Sequence, residues 1–137
     1  VVCHGGEINQ AVLNIVVNAA HAIEAKVRGT GGRGRIGVRS WQDGGHVVIA
    51  IYDTGGGIPA EIAGQVFDPF FTTKAAGEGT GQGLAIAHNV VAVKHRGRIS
   101  FEVDDSLPPD DPRAGTTFRV VLPGNNNGAL RPQRVET

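Results

Sequence analysis

A chain of 137 residues, 40% of them hydrophobic, is long enough for one compact domain with its own core. Thirteen basic and thirteen acidic residues cancel, so no global field favours nucleic acid, and no apolar run reaches the roughly 20 residues that span a bilayer. The single cysteine excludes an internal disulfide and fits a reducing compartment.

Apolar spacing predicts helices and strands along the whole chain. They are a strand end at 1–3, a helix at 7–26, strands at 35–41 and 47–52, a short helix ending near 67, a helix at 82–94, and strands at 98–103 and 116–122. Asp43-Gly44 predicts a hairpin turn. Residues 68–81 are expected to form a mobile lid, and the acidic loop 104–112 a solvated insertion. This order favours an α+β fold, with helices on one face of a mostly antiparallel sheet.

Three polar residues share one face of the first predicted helix. Asn14 and Asn18 are four residues apart, and His21 follows three residues later. Asparagine is a poor residue inside a helix, so two in register favour a binding site. A pair of surface amides is the alternative. An amide oxygen suits Mg²⁺ that bridges phosphates, and His21 could add a hydrogen bond to a phosphate.

An acidic residue, Asp53, follows the buried strand at 47–52 directly and leads into Thr54 and three glycines. A carboxylate at a strand end can accept a hydrogen bond from an exocyclic amine such as adenine N6. The carbonyl of guanine would be repelled there. Gly55 and Gly57 would allow a tight turn beneath a flat base. An ordinary Asp-Gly turn is the alternative.

Two segments border the expected lid. Phe67 to Lys74 contains three of the five phenylalanines and Pro69, which disfavours a strand. It favours a hinge from which Lys74 reaches a phosphate, with a simple packed loop as the alternative. The glycine-rich sequence Gly79-Thr80-Gly81-Gln82-Gly83-Leu84 leads into a helix, whose N-terminal N–H groups suit a polyphosphate.

Other nucleotide and metal motifs lack their required context. Two overlapping G-x-G-x-x-G matches, at 29–34 and 32–37, follow a helix rather than a strand. The arginines of this loop are expected to be solvated. The sequence contains no GxxxxGK[ST] loop and no His/Cys pattern with zinc spacing. Any nucleotide is therefore expected to bind without a P-loop.

The four segments, in this order, resemble the ATP-binding catalytic domain of bacterial sensor histidine kinases, within the wider family that shares the Bergerat fold. The matching segments are the N box at 14–19, the first glycine box at 53–57, the F box at 67–74 and the second glycine box at 79–84. Gly115-Thr116-Thr117-Phe118 resembles the strand start whose threonine supports the adenine-reading aspartate. The resemblance covers residues 1–123, which are expected to form one domain. The polar tail 124–137 is expected to be a disordered linker.

The resemblance implies a two-layer α/β sandwich of three helices on a mixed, mostly antiparallel five-stranded sheet, with a flexible ATP lid. It also implies ATP and Mg²⁺ as cofactors, with Asp53 reading adenine and Asn18 as the metal ligand. The other implied nucleotide-binding positions are Asn14, His21, Gly55, Gly57, Ile58, Lys74, Gly79, Thr80, Gly81, Gly83, Leu84 and Thr116. His21 stands where many relatives carry lysine or arginine. No catalytic residue is identified beyond these nucleotide-positioning ones.

By the same resemblance, the γ-phosphate passes to a histidine on a separate dimerisation domain and then to the receiver domain of a response regulator. None of the five histidines starts a His-Glu/Asp-x-x-Asn/Thr-Pro motif, so the chain is expected to bind ATP without phosphorylating itself. The start at Val1 predicts a piece of a longer protein. We expect a monomeric, cytoplasmic domain without nucleic-acid or membrane contact, even if its parent is membrane-anchored.

ATP-hydrolysing relatives of this fold, such as the DNA gyrase B subunit, heat-shock chaperones and mismatch-repair ATPases, are the main alternative. They use a glutamate four residues before the metal asparagine as a base that activates water. Here that position is Asn14, which cannot accept a proton at neutral pH. A serine-kinase anti-sigma factor and a degenerate nucleotide-sensing module are the remaining alternatives.

Overall fold

The computed structural model describes residues 5–58, 60–68, 83–104, 106–108, 111 and 113–124. Within them, helices pack on one face of an antiparallel sheet. The elements are α1 (Gly5–Val27), β1 (Ile36–Asp43), β2 (His46–Asp53), a 3-10 helix (Ala60–Gln65), α2 (Gly83–His88) continued by a π-helix (Asn89–Lys94), β3 (Arg98–Val103) and β4 (Thr116–Pro123). The predicted α+β class and two-layer arrangement are confirmed.

The sheet of the described residues has the strand order β1-β2-β4-β3, with every neighbouring pair antiparallel. The predicted hairpin joins β1 to β2, where Asp43 pairs with His46 across the turn. β4 lies between β2 and β3, so its first residue, Thr116, pairs with the last residue of β2, Asp53. The strand end predicted at 1–3 lies outside the described residues, as do most of the predicted lid and most of the polar tail.

The core lies between α1, α2 with its π-helix, and one face of the sheet. α1 buries residues spaced three or four apart, as its sequence pattern predicts: Ile8, Ala11, Ile15 and Ala19. The first three of these pack in one cluster with the cross-strand partners Ile51 and Phe118. α1 is therefore fixed lengthwise over the sheet, and its polar face borders the end of β2.

An aromatic cluster ties the start of the expected lid to this core. The ring centroid of Phe67 lies 6.3 Å from that of Phe118 and 6.1 Å from that of Phe101, both edge-on. The His88 ring of α2 lies 5.3 Å from Phe67 on another side. Phe67 thus anchors the chain just before residue 69, where the described residues stop. The rest of the segment for which a hinge is predicted lies outside the described residues, apart from Asp68.

Arg96 is the non-glycine residue with a positive φ, 55°, in the described part of the chain. It follows the π-helix, and its side chain is exposed. A left-handed backbone costs about 1 kcal/mol for a residue with a Cβ, whereas glycine adopts it freely. We expect Arg96→Gly to raise the free energy of unfolding by up to about 1 kcal/mol, measured by urea denaturation.

Arg98→Gly is the matched control, because Arg98 is also exposed but lies in extended β3. Glycine in a strand costs roughly 0.5–1 kcal/mol, so this variant should be less stable than the parent. A loss of stability in Arg96→Gly would contradict the strain at this position.

Candidate functional site

Asp53 ends β2 with its side chain on the core face of the sheet, and only 4% of the residue is exposed. The Gly55 N–H donates to its Oδ1 over 2.8 Å. Burial raises the pKa of Asp53 above its ordinary value of 3.8, although the Gly55 N–H, the Lys26 charge and the Thr116 N–H oppose the rise. The carboxylate is thus oriented by backbone donors in a largely dry site. It can accept a further hydrogen bond from a ligand amine.

The loop after Asp53 lies close against α1. Gly55 is buried, and a Cβ at this position would lie 2.7 Å from the Cβ of Ala22. Gly57 has a φ of 77°, which glycine adopts without steric cost. Ile58 is half-buried and packs against the core. The first predicted glycine box therefore turns tightly beside the helix, as its sequence indicates.

The start of β4 crosses directly over the end of β2. Thr116 is 4% exposed and pairs with Asp53 in the sheet. A Cβ on the preceding residue, Gly115, would overlap the Asp53 carbonyl oxygen and would lie 2.9 Å from the Cα of Thr54. Only glycine fits at this crossing, because the neighbouring atoms belong to the backbone.

The polar face of α1 borders both glycine-rich segments. At one end, Asn14 Nδ2 donates to the carbonyl of Gly83, the first residue of α2, over 3.2 Å. At the other end, Ala22 touches the Gly55 loop. Eight residues of helix separate these contacts, a distance of about 12 Å. Asn18 lies midway on the same face, since it is four residues from each.

Asn18 and His21 are both half-buried along this face. Among the described residues no group of three His, Cys, Asp or Glu could hold a metal ion. Asn18 would offer a magnesium ion here an amide oxygen, and phosphate oxygens and water would complete its shell. Mg²⁺ commonly binds nucleotides with few protein ligands in this way. The donor set thus fits a metal that arrives with a polyphosphate.

Both polar atoms of the Asn14 side-chain amide form hydrogen bonds within the protein. Its Nδ2 donates to the Gly83 carbonyl, and its Oδ1 accepts a hydrogen bond from Gln10 over 2.9 Å. The structure therefore gives it a role in joining α1 to α2, beside the predicted contact with phosphate. Leu84, the next residue of α2, is half-buried against the core.

Four predicted site residues lie outside the described residues: Lys74, Gly79, Thr80 and Gly81. Five of the described positions lie at the two ends of the α1 face, and Asn18 lies between them. Asp53, Gly55 and Thr116 meet at one end, and Asn14 meets Gly83 at the other.

Lys26 contacts the site but is not among the residues predicted from the sequence. Its ammonium donates to the carbonyls of Gly55, Asp111 and Ala114, at 3.2, 2.6 and 2.9 Å. The end of the loop predicted as a solvated insertion is therefore tied to α1 through the Asp111 carbonyl, whereas its described residues Asp104 and Ser106 are exposed. A lysine near the end of a helix is common, and nothing in the local sequence distinguishes this one.

None of the helices in the described ranges has the length and hydropathy needed to cross a membrane.

A family model and the curated relatives of this chain indicate the same protein family. Residues 4–126 match the model of the histidine kinase-, DNA gyrase B- and HSP90-like ATPases. The histidine-protein kinase AtoS of Escherichia coli K12 is 39% identical over 88% of this chain and 17% of its own length. The sensor histidine kinase ZraS of the same strain is 38% identical over 86% of this chain and 22% of its own. The chain thus spans less than a quarter of these curated relatives.

Solved structures show the same fold. The mycobacterial sensor histidine kinase MprB is 36% identical, with a TM-score of 0.73 over 90% of this chain and 76% of that one. A nucleotide-free catalytic domain of the histidine kinase ThkA is 29% identical, with a TM-score of 0.69 over 88% of this chain and 69% of that one.

Proposed function

We propose, because this chain belongs to the family of histidine kinase-, DNA gyrase B- and HSP90-like ATPases, that it binds Mg-ATP as the catalytic domain of a sensor histidine kinase. The γ-phosphate of the bound ATP would pass to a histidine on a dimerisation domain of the same parent protein. A receiver domain of a response regulator would be the next acceptor. The domain would act in the cytoplasm as a monomeric unit.

The observation that carries this proposal is the layout of the α1 face. A buried carboxylate, Asp53, lies at one end and can accept from the exocyclic amine of adenine. The first residue of α2, Gly83, lies at the other, where the glycine-rich segment enters the helix. About 12 Å of polar helix face joins them, which suits a nucleotide lying along α1.

Each side chain then has a binding or orienting role. Asp53 selects adenine, and Gly55 and Gly57 let the loop pass beneath the base. Asn18 contributes an amide oxygen to Mg²⁺, and His21 and Asn14 border the phosphates. When bound, Mg²⁺ neutralises charge on the phosphate oxygens. Phosphoryl transfer depends on alignment and charge neutralisation, with little covalent chemistry by the protein.

The hydrogen bonds of Asn14 favour a kinase over a hydrolase. A hydrolase of this fold needs a base at this position to activate water, whereas an amide has no basic lone pair at neutral pH. Here both halves of the amide are also engaged, with Gly83 and Gln10. The Asn14 side chain therefore lacks the base that a hydrolase of this fold uses to activate water.

The test is phosphotransfer in trans. The chain is incubated with γ-labelled ATP and the separately purified dimerisation domain of its parent. We expect acid-labile label on that domain and none on the chain alone. Release of inorganic phosphate without labelled protein would indicate a hydrolase. Acid-stable label on serine would indicate an anti-sigma kinase.

Asn18→Ala is expected to remove most of the magnesium dependence of ATP binding. Losing a metal-supporting group typically costs tenfold or more, so affinity with Mg²⁺ should fall by roughly tenfold towards the value without it. Titration calorimetry with and without Mg²⁺ measures the difference. Asn9→Ala, an exposed amide on the same helix, is the control and should leave it unchanged. Equal magnesium effects in the Asn18 variant and the parent would refute the assignment.

A further inference from the structure

Lys26 uses its side-chain ammonium as a three-way bridge between backbone segments. It lies in the last turn of α1 and is half-buried. Its Nζ donates to the carbonyl oxygens of Gly55 at 3.2 Å, Asp111 at 2.6 Å and Ala114 at 2.9 Å. An ammonium has three protons, and three acceptors surround this one.

These contacts differ from ordinary helix capping. A lysine in the last turn of a helix commonly interacts with the final carbonyls of that helix. Here the accepting residues are 29, 85 and 88 positions away in the sequence. The side chain therefore fixes tertiary structure.

The bridged segments are the two that hold Asp53. Gly55 donates its N–H to the Asp53 carboxylate, and Lys26 holds the carbonyl of the same residue, which restricts the backbone that carries this donor. Ala114 precedes Gly115, which crosses the Asp53 carbonyl, and Thr116, which pairs with Asp53. One ammonium thus controls the backbone on both sides of the carboxylate.

The carboxylate of Asp111, whose carbonyl Lys26 binds, has a partner of its own. The Asp111 carboxylate accepts from Arg113 Nε at 3.1 Å and Nη2 at 3.0 Å. That pairing is the main cause that lowers the pKa of Asp111 to about 2, and the Lys26 charge adds a smaller effect in the same direction. Asp111 thus offers Lys26 its carbonyl. The Lys26 charge also lowers the pKa of Asp53, against the larger effect of burial.

We propose that Lys26 is a positioning residue for adenine recognition, which holds the loops around Asp53 so that its carboxylate faces the base. This inference rests on the proposed function for its ligand. Its structural part, the control of Asp53 by Lys26, can be tested without nucleotide.

The first test compares Lys26→Met with Lys26→Arg and with Arg28→Met in the nucleotide-free protein. Arg28 is the matched control, since it directly follows the same helix and forms an exposed ion pair with Glu24. Carbon-13 NMR titration of Asp53 should give a higher pKa in Lys26→Met, a value near the parent's in Lys26→Arg, and no change in Arg28→Met. An unchanged pKa in Lys26→Met overturns the proposal.

The second test is selectivity between ATP and inosine triphosphate, which has a carbonyl in place of the exocyclic amine. Lys26→Met should bind ATP about tenfold more weakly and inosine triphosphate almost as the parent does. An equal loss for both would indicate a merely structural role and overturn the proposal. If the parent binds neither nucleotide, the proposed function fails, while the Asp53 titration still decides the role of Lys26.

A measurement on the unaltered protein covers the case in which Lys26→Met does not fold. The ammonium protons of a threefold hydrogen-bonded lysine exchange slowly with water and give a nitrogen-15 correlation for Lys26 Nζ. Exchange as fast as that of an exposed lysine would overturn the bridge.

Discussion

Asp53→Asn is expected to lower the affinity for ATP by roughly 10- to 100-fold, because hydrogen bonds to a charged group contribute about 1.5–3 kcal/mol. In the parent the buried carboxylate is oriented by the Gly55 N–H, so it presents an acceptor to the base without rearrangement. The neutral amide keeps the shape but is a weaker acceptor. Titration calorimetry at neutral pH measures the loss.

The same variant should not lose stability, and this separates binding from folding. The folded-state pKa of Asp53 is raised by burial, so the stability linked to its protonated form is fully present below 3.8 and is lost as pH rises through the raised pKa. At neutral pH the folded parent therefore bears the cost of a buried charge, which Asp53→Asn removes. The nucleotide-free variant should unfold at an equal or higher urea concentration than the parent, with this advantage disappearing in acid. Unchanged ATP affinity, or marked destabilisation at neutral pH, would contradict this reading.

Gly115→Ala is expected to cost about 3 kcal/mol of unfolding free energy or to prevent folding, because overpacking against fixed atoms cannot be relieved by a side-chain rotation. The added Cβ would lie 2.7 Å from the Asp53 carbonyl carbon and 2.9 Å from the Thr54 Cα. The first atom belongs to the last residue of β2, and the second belongs to the residue that follows it. Any folded fraction should bind ATP more weakly, because Asp53 must move.

Gly56→Ala is the matched control for this prediction. Gly56 lies in the neighbouring loop, is exposed, and a Cβ there would meet nothing within 4 Å. Its urea midpoint should stay close to that of the parent. Similar midpoints for the Gly115 and Gly56 variants would show that β4 does not cross Asp53 as closely as described.

Features that depend on residues close together in the chain could be predicted from the sequence. Alternation and helical spacing predicted α1 and the four described strands to within two residues at each end. The strand that leads directly into an acid and three glycines predicted the position of Asp53. These features follow from local rules of burial and turn chemistry, so a single chain reveals them.

Features that depend on distant pairs could not be predicted. The Lys26 contacts join residues 85 and 88 positions apart, and no periodicity records them. The π-helical continuation of α2 has no distinguishing sequence pattern, although it places Val90 and Val91 in the core. The engagement of Asn14 with Gly83 likewise follows from how α1 packs on α2. Tertiary packing decided each of these.

Recognition of adenine by Asp53 is tested by comparing the affinities of the unaltered chain for ATP and for inosine triphosphate. Both affinities are measured by calorimetry with Mg²⁺. The two nucleotides differ at the group that would meet Asp53. We expect ATP to bind roughly 10- to 100-fold more tightly than inosine triphosphate. Equal affinities would contradict recognition of the base by Asp53, and no binding of ATP would contradict the nucleotide site itself.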